Sequence, residues 1–402
     1  MKVRPIIDKF LTNAIGTMHK ARMKSVAACI ESVMNGNSLT VTGMGRGIAG
    51  EAYEKHTIKQ SDRLCSNWHL YQESTCIYEY VCKLWVPAGS RPVILVDWSN
   101  LDDCKNAFLI SATLVCDGRS ITLYSQTHPL ATRERPDTHQ HFLETLKTLL
   151  PENCQPIIIA DAGFKVPWHE LVISLGWDYI GRVRKPNDCK LEGEETFQHL
   201  DEIFKKATPT PNCYDGELTK SNQFETTFIL YKGPSKGRHK LTAEGERCCS
   251  KHSEQHAKSG KEPWVLVTSL PRTSKLAKRV VKMYKSRMQI EEGFRDMKSK
   301  LCGLGFNESK SYKIRRIAIL MLIAILSALV LILIGAAAEQ ANFARHFQDN
   351  TIRHRRVLSL HYLGLRMIAQ TRLVLEREHF VKGIAHIKKM IAEAEHGLSK
   401  YA

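Results

Sequence analysis

Pro92-Val-Ile-Leu-Val-Asp97-Trp98 is a proline, four branched aliphatic residues, a carboxylate and a tryptophan. An unbroken aliphatic run of this length reads as a strand covered on both faces, which demands packed layers on either side of a sheet. A second run, Pro156-Ile-Ile-Ile-Ala-Asp161-Ala-Gly163-Phe164, repeats the pattern and again ends in a carboxylate. A lone Asp after a strand is most often a turn former or a helix cap. Two of them on neighbouring strands have a second use, because ligands of open α/β sheets collect at the carboxyl ends of the strands.

Working outward from these runs, residues 107–115 and 120–125 read as strands joined by the Asp-Gly turn Cys116-Asp117-Gly118-Arg119. Residues 139–150 read as a helix, 166–175 as another, and 179–183 as a further strand. Hairpin strands, helix, strand, helix, strand is the order of a ribonuclease-H-like α/β core. Residues 186–262 are rich in Thr, Lys, Gly and Ser with β character only in pieces, and read as a β-rich insertion; Pro263 to Thr268 is a strand again and Lys275 to Lys300 one long helix. The expected layout is a helical domain over 1–90, an α/β domain over 91–338, and a helical C-terminal region over 339–402.

The 402 residues carry 58 Lys+Arg against 41 Asp+Glu, a net charge of +17, which points to a polyanionic partner. The excess is concentrated. Residues 272–316 hold fourteen Lys/Arg and four Asp/Glu, and residues 1–60 hold nine and four. A binding groove gathers charge in this way, although a charged helix facing water explains part of any such run. Near the N-terminus, Gly45-x-Gly47-x-x-Gly50 has the form of a dinucleotide fingerprint. No acidic residue follows about twenty positions on and no βαβ unit surrounds it, so that reading fails. A short helix, a Gly-containing turn and a polar helix bearing Lys55, His56, Lys59 and Arg63 instead read as a helix-turn-helix.

Ile317 to Ala338 is apolar for twenty-two residues apart from Ser327 and Gly335, long enough to span a bilayer. With no second span, a helix buried inside a large domain is the expectation, and no membrane partner. The twelve cysteines show no framework spacing and no apolar stretch follows the charged N-terminus, so reduced thiols and a cytoplasmic location are expected. Cys248, Cys249, His252 and His256 are the only metal-like cluster, and adjacent cysteines suit a tetrahedral zinc site poorly.

Two strand-end carboxylates beside a basic groove suit a hard cation such as Mg²⁺, which takes a few carboxylates together with water and phosphate oxygens. The third acid is expected from the 275–300 helix. There Tyr284, Arg287, Glu291, Arg295 and Lys298 fall on one helical face, and Glu292 is turned about 100° away. A ladder of ion pairs explains that spacing equally well on stability grounds alone.

Tyr284-x2-Arg287-x3-Glu291-x6-Lys298 resembles the Y-R-E-K signature of the DDE transposases of the insertion-sequence-four family. Val96-Asp97-Trp98-Ser99, Asp161 to Trp168 and Glu262-Pro-Trp264 look like the corresponding segments of insertion-sequence-ten transposases. The resemblance implies that Asp97, Asp161 and Glu291 form a catalytic triad binding two Mg²⁺ ions, with Mn²⁺ as a substitute. It implies that Tyr284, Arg287 and Lys298 contact phosphates near the transposon end. Trp264 matches an aromatic that holds a flipped base, against the plain alternative of a buried strand tryptophan. Arg182 and Arg184 are further candidate DNA contacts. The implied activity is cut-and-paste transposition through strand nicking, a hairpin intermediate, its resolution and strand transfer. Its partners are the terminal inverted repeats, target DNA and a second copy of the chain, in the bacterial nucleoid. A non-integrating ribonuclease-H-like nuclease and a DNA-binding remnant or repressor remain as alternatives.

Overall fold

The computed structural model describes residues 3–102, 104, 106–234, 250, 254, 262–301, 303–370 and 372–395. The Cys248, Cys249, His252 and His256 cluster lies outside the described residues, except that Ser250 and Glu254 beside it are described. The chain forms two compact units, Met1–Pro156 with Ser286–Ala402, and Ile157–Lys285.

The first unit begins with five helices, Arg4–Ala14, Lys20–Met34, Val41–Arg46, Glu54–Cys65 and Trp68–Trp85. Gly36 ends the second at φ +93°, in the left-handed region. Thr40 caps the third by accepting from the Gly43 N–H at 2.9 Å, and Asn67 caps the fifth by accepting from Leu70 at 2.8 Å. Of the false fingerprint only Gly45 is helical; Gly47 and Gly50 lie in the 47–53 connection, the Gly-containing turn expected between the short helix and the polar one. A Cβ on Gly45 would lie 2.5 Å from the Ile58 Cα, so only glycine lets this short helix cross Glu54–Cys65 so closely.

Three antiparallel strands follow in the order of the chain: β1 (Val93–Asn100), β2 (Ala107–Leu114) and β3 (Ile121–Pro129). All eight β2 residues are buried, as expected of a strand covered on both faces. The β1 strand continues three residues past Asp97, so that acid lies within the strand, opposite Ser111, rather than at its end. Helix Pro136–Leu149 adds Phe142, Leu143 and Leu146 to the core.

Ile314–Gln340 is the apolar helix, and it packs against Lys20–Met34, β3, Leu360–Ile368 and Arg377–Glu395. It is long and apolar enough to cross a membrane, yet 83% of its most apolar window is buried inside the protein. Glycines bring the partners close: a Cβ on Gly364 would meet the Leu331 carbonyl oxygen at 2.1 Å, and one on Gly335 would meet that of Leu360 at 1.9 Å.

The second unit is a sheet of seven strands in the order β4 (Ile157–Ala160), β5 (Asp178–Val183), β10 (Trp264–Thr268), β9 (Phe224–Tyr231), β8 (Asn212–Leu218), β6 (Asp188–Leu191) and β7 (Gln198–His199). Only β4 and β5 are parallel, joined through helix Val166–Ser174; every other pairing is antiparallel. The 186–262 stretch thus contributes four strands that extend one sheet. The buried run Phe228-Ile229-Leu230 marks β9, read in part from the sequence at Thr226 to Tyr231, whereas β8 is polar and half-buried along all but its last residue and gives no such run.

The single helix expected over 275–300 is two, Leu276–Lys285 and Met288–Lys298, separated at Ser286 and Arg287. The continuous face drawn from Tyr284 to Lys298 is therefore corrected. Tyr284 belongs to the first helix and the second unit, and Arg287, Glu291 and Lys298 to the second helix and the first unit. Periodicity alone does not register a two-residue break whose flanks are both helical.

Candidate active site

In the first unit, β1 alternates its side chains, so Asp97 and Ser99 share a face. Arg287 stands at the N-cap of Met288–Lys298 and reaches both acids. Its Nη1 donates to Asp97 Oδ2 at 3.1 Å and its Nη2 donates to Glu291 Oε1. The guanidinium is well buried and Glu291 about half exposed, so the second acid keeps an open side. At the other end of the helix, Lys298 Nζ donates to Ser99 Oγ at 2.8 Å. Burial pushes the Lys298 ammonium below the usual lysine range, since desolvation disfavours its charge.

Asp97 is itself oriented. Its Oδ1 accepts from the Trp98 N–H at 2.8 Å, and the Trp98 indole donates to His139 Nε2 at 3.1 Å. His139 must be neutral at that nitrogen to accept, and burial holds its pKa down at about 4. Gln289 fastens the helix to the β2–β3 turn. Its amide accepts from Cys116 N at 3.0 Å and donates to Cys116 O at 2.9 Å.

Glu292 faces elsewhere. It pairs with Arg119 at 3.4 Å and with Arg295, while Arg119 also holds the buried Asp296. Adjacent helical positions diverge by about 100°, which sends Glu291 to β1 and Glu292 into a structural ion-pair network.

In the second unit, Asp161 directly follows β4 and its Oδ1 accepts from Gly163 N–H at 2.6 Å, an Asx-type turn. The rings of Phe164 and Trp168, which follow it, pack with centroids 4.5 Å apart, and Trp168 is buried. Trp264 opens β10 between two phenol rings, 5.9 Å from Tyr231 and 5.1 Å from Tyr284. The Arg182 guanidinium lies 5.9 Å from its ring centroid. The indole is part-exposed, so it is not the fully buried strand tryptophan of the plain alternative, whereas Tyr284 is only 4% exposed. Arg184 follows β5 part-exposed, and its carbonyl accepts from the Asn187 side chain at 2.6 Å.

Of the sequence-derived residues, Asp97, Arg287, Glu291 and Lys298 gather on one face of the first unit; Trp264, Tyr284 and Arg182 gather in the second, where Asp161 and Arg184 also lie. Among the described residues no group of three His, Cys, Asp or Glu side chains forms a ready metal site. Sequence reasoning missed Ser99, His139 and Gln289. Ser99 had a signal, its position two residues after Asp97 on a strand. His139 and Gln289 had none, because their partners are 41 and 173 residues away.

Asp97 on β1 and Glu291 on the basic helix Met288–Lys298 are bridged by one guanidinium, an arrangement of acids and cations compatible with chemistry on a polyanion. The comparison with protein families names it: the family model of the transposase DDE domain matches residues 88–330. The chain belongs to this family and is a DDE transposase, a DNA nuclease and strand transferase that binds DNA; such enzymes use divalent metal ions. None of the curated proteins compared with the chain matches it.

Proposed function

We propose that the chain catalyses cut-and-paste transposition of an insertion sequence in the manner of the insertion-sequence-four family, on a ribonuclease-H-like core, and that it is close to the insertion-sequence-ten transposases. The observation that carries the reading is the bridge of Arg287 between Asp97 and Glu291, two acids 194 positions apart drawn onto one guanidinium. The guanidinium stands between the two acids, where a bound cation would supply the positive charge during turnover. Their hard oxygens fit Mg²⁺, with Asp161 as the third ligand, and two ions would activate the attacking oxygen and stabilise the leaving one. Asp97, Asp161 and Glu291 would hold the metal, and Arg287 stands beside two of them where its guanidinium could also meet a phosphate.

Within this reading the chain's own residues have distinct tasks. Lys298 and Arg287 hold phosphates at the transposon end. Trp264, in its aromatic cage with Tyr231 and Tyr284, takes an unstacked base, which eases the tight bend of a hairpin. Arg182 and Arg184 contact the backbone. Residues 1–90 recognise the terminal repeats, residues 91–338 carry the chemistry, and the C-terminal helices support a synaptic homodimer. The protein works in the cytoplasm, on the nucleoid.

The test uses the DNA flanking the reading frame, end-labelled, with wild type, Glu291→Ala and Glu292→Ala. Mg²⁺-dependent cleavage at one position with a hairpin product is expected, lost in Glu291→Ala and retained in Glu292→Ala. Specific binding without cleavage under any divalent metal refutes the catalytic assignment and leaves a DNA-binding remnant.

A further inference from the structure

Trp68 opens the fifth helix with 47% of its surface exposed, and Tyr71 one turn later is 37% exposed. The two rings stack with centroids 5.5 Å apart and planes 20° from parallel. The Arg315 guanidinium lies 4.6 Å from the centre of the Trp68 ring. Tyr312, three residues before Arg315, is 78% exposed.

The two arginines at the start of Ile314–Gln340 have different work. Arg316 donates to Asp62 Oδ1 at 2.6 Å and to Ser66 Oγ, tying the helix to the end of Glu54–Cys65. Arg315 and Lys313, both exposed, have no carboxylate within 4.0 Å among the described residues. With Trp68 and Tyr71 they line an open cleft of about 360 Å³. A cavity of ~150 Å³ admits benzene, so there is room for a nucleobase.

Exposed rings beside cations that lack acidic partners fit a ligand that is flat, apolar on its faces and anionic at one edge. An acidic peptide would satisfy the cations and leave the rings wet. A nucleotide satisfies both, its base on the rings and its phosphate on the cations. We propose that Trp68, Tyr71 and Arg315, with Lys313, form a nucleotide-stacking site that holds an unpaired nucleotide of DNA. It is separate from Trp264 and lies in the other compact unit. The site rests on the reading of the chain as one that handles opened DNA.

The test is fluorescence anisotropy of the full chain in EDTA, so that no cleavage is needed. The probes are a labelled ten-nucleotide mixed-sequence single strand and the matching blunt duplex at fixed salt. Stacking contributes ~1–3 kcal/mol per base, roughly 5- to 150-fold in affinity. Trp68→Ala is expected to weaken single-strand binding at least fivefold, with duplex binding changed less than twofold, and Trp68→Phe to retain most of the affinity. Arg315→Gln, at an exposed position, is expected to weaken it as well and carries the test if Trp68→Ala lowers the melting temperature. Unchanged single-strand affinity in both variants overturns the site. Equal losses on single strand and duplex also overturn it, since they mean phosphate contact alone. A wild type that binds with this pattern but never cleaves keeps the site and removes the catalytic reading.

Discussion

Gly335→Ala is the sharpest probe of how the apolar helix is housed. A Cβ there would lie 1.9 Å from the Leu360 carbonyl oxygen and 2.6 Å from its carbon, against ordinary contact from 3.4 Å, a shortfall of 1.5 Å. Both offended atoms are backbone, so no side-chain rotation relieves the clash, and helix Leu360–Ile368 must shift. Overpacking of this kind costs about 3 kcal/mol at the upper end of its usual range. Alanine returns about 1 kcal/mol in helix propensity, leaving a net loss of about 2 kcal/mol. Gly293, within Met288–Lys298, is the control, because a Cβ there meets nothing within 4 Å. Gly293→Ala should be neutral or stabilising by up to about 1 kcal/mol. Urea unfolding followed by circular dichroism reads both. If Gly335→Ala shifts the midpoint in the same direction as Gly293→Ala, the close crossing is wrong, and with it the account of this helix as a core element.

Other outcomes follow from the same structure. Burial lowers the pKa of His169 to about 3 and those of His128 and His139 to about 4, so the unfolded chain binds more protons below about 6.5. Stability present above that pH should fall as acid is added towards 4, by up to ~1.4 kcal/mol per pH unit for each histidine, and His169→Leu should flatten the slope of denaturation midpoints against pH. Burial raises the Cys29 thiol to about 11 and those of Cys65, Cys82 and Cys116 to about 12. Cys76 and Cys104 are exposed. A thiol reagent followed by peptide mapping should label those two quickly in the native protein, and the four buried ones only after denaturation. Trp264→Ala should leave first-strand nicking and reduce hairpin product on a gel, whereas Trp264→Phe should keep both. Gln289→Ala should lower cleavage without altering DNA affinity, because it loosens the helix that carries Glu291 while leaving the basic surface intact.

The aliphatic runs 93–96 and 157–159 located two strands, because a strand covered on both faces writes its burial into consecutive residues; Asp161 follows its strand as expected, whereas β1 runs on three residues past Asp97. Glu291 was separable from Glu292 for a similarly local reason, the 100° step of a helix. What lay beyond local pattern was lost. The break at Ser286 and Arg287 leaves helical periodicity on both sides, yet it divides Tyr284 from Arg287 between two compact units. Strands β6 to β9 bury only part of each face and read as fragments until they pair. The sequence by itself determined the chemical types present: three acids, a basic excess, an apolar helix. The tertiary structure alone decided which of them meet. Arg287 reaching Asp97, Gln289 gripping Cys116 and Arg315 lying on Trp68 are contacts across 173 to 247 residues, made by packing and by hydrogen bonds that no sequence period encodes.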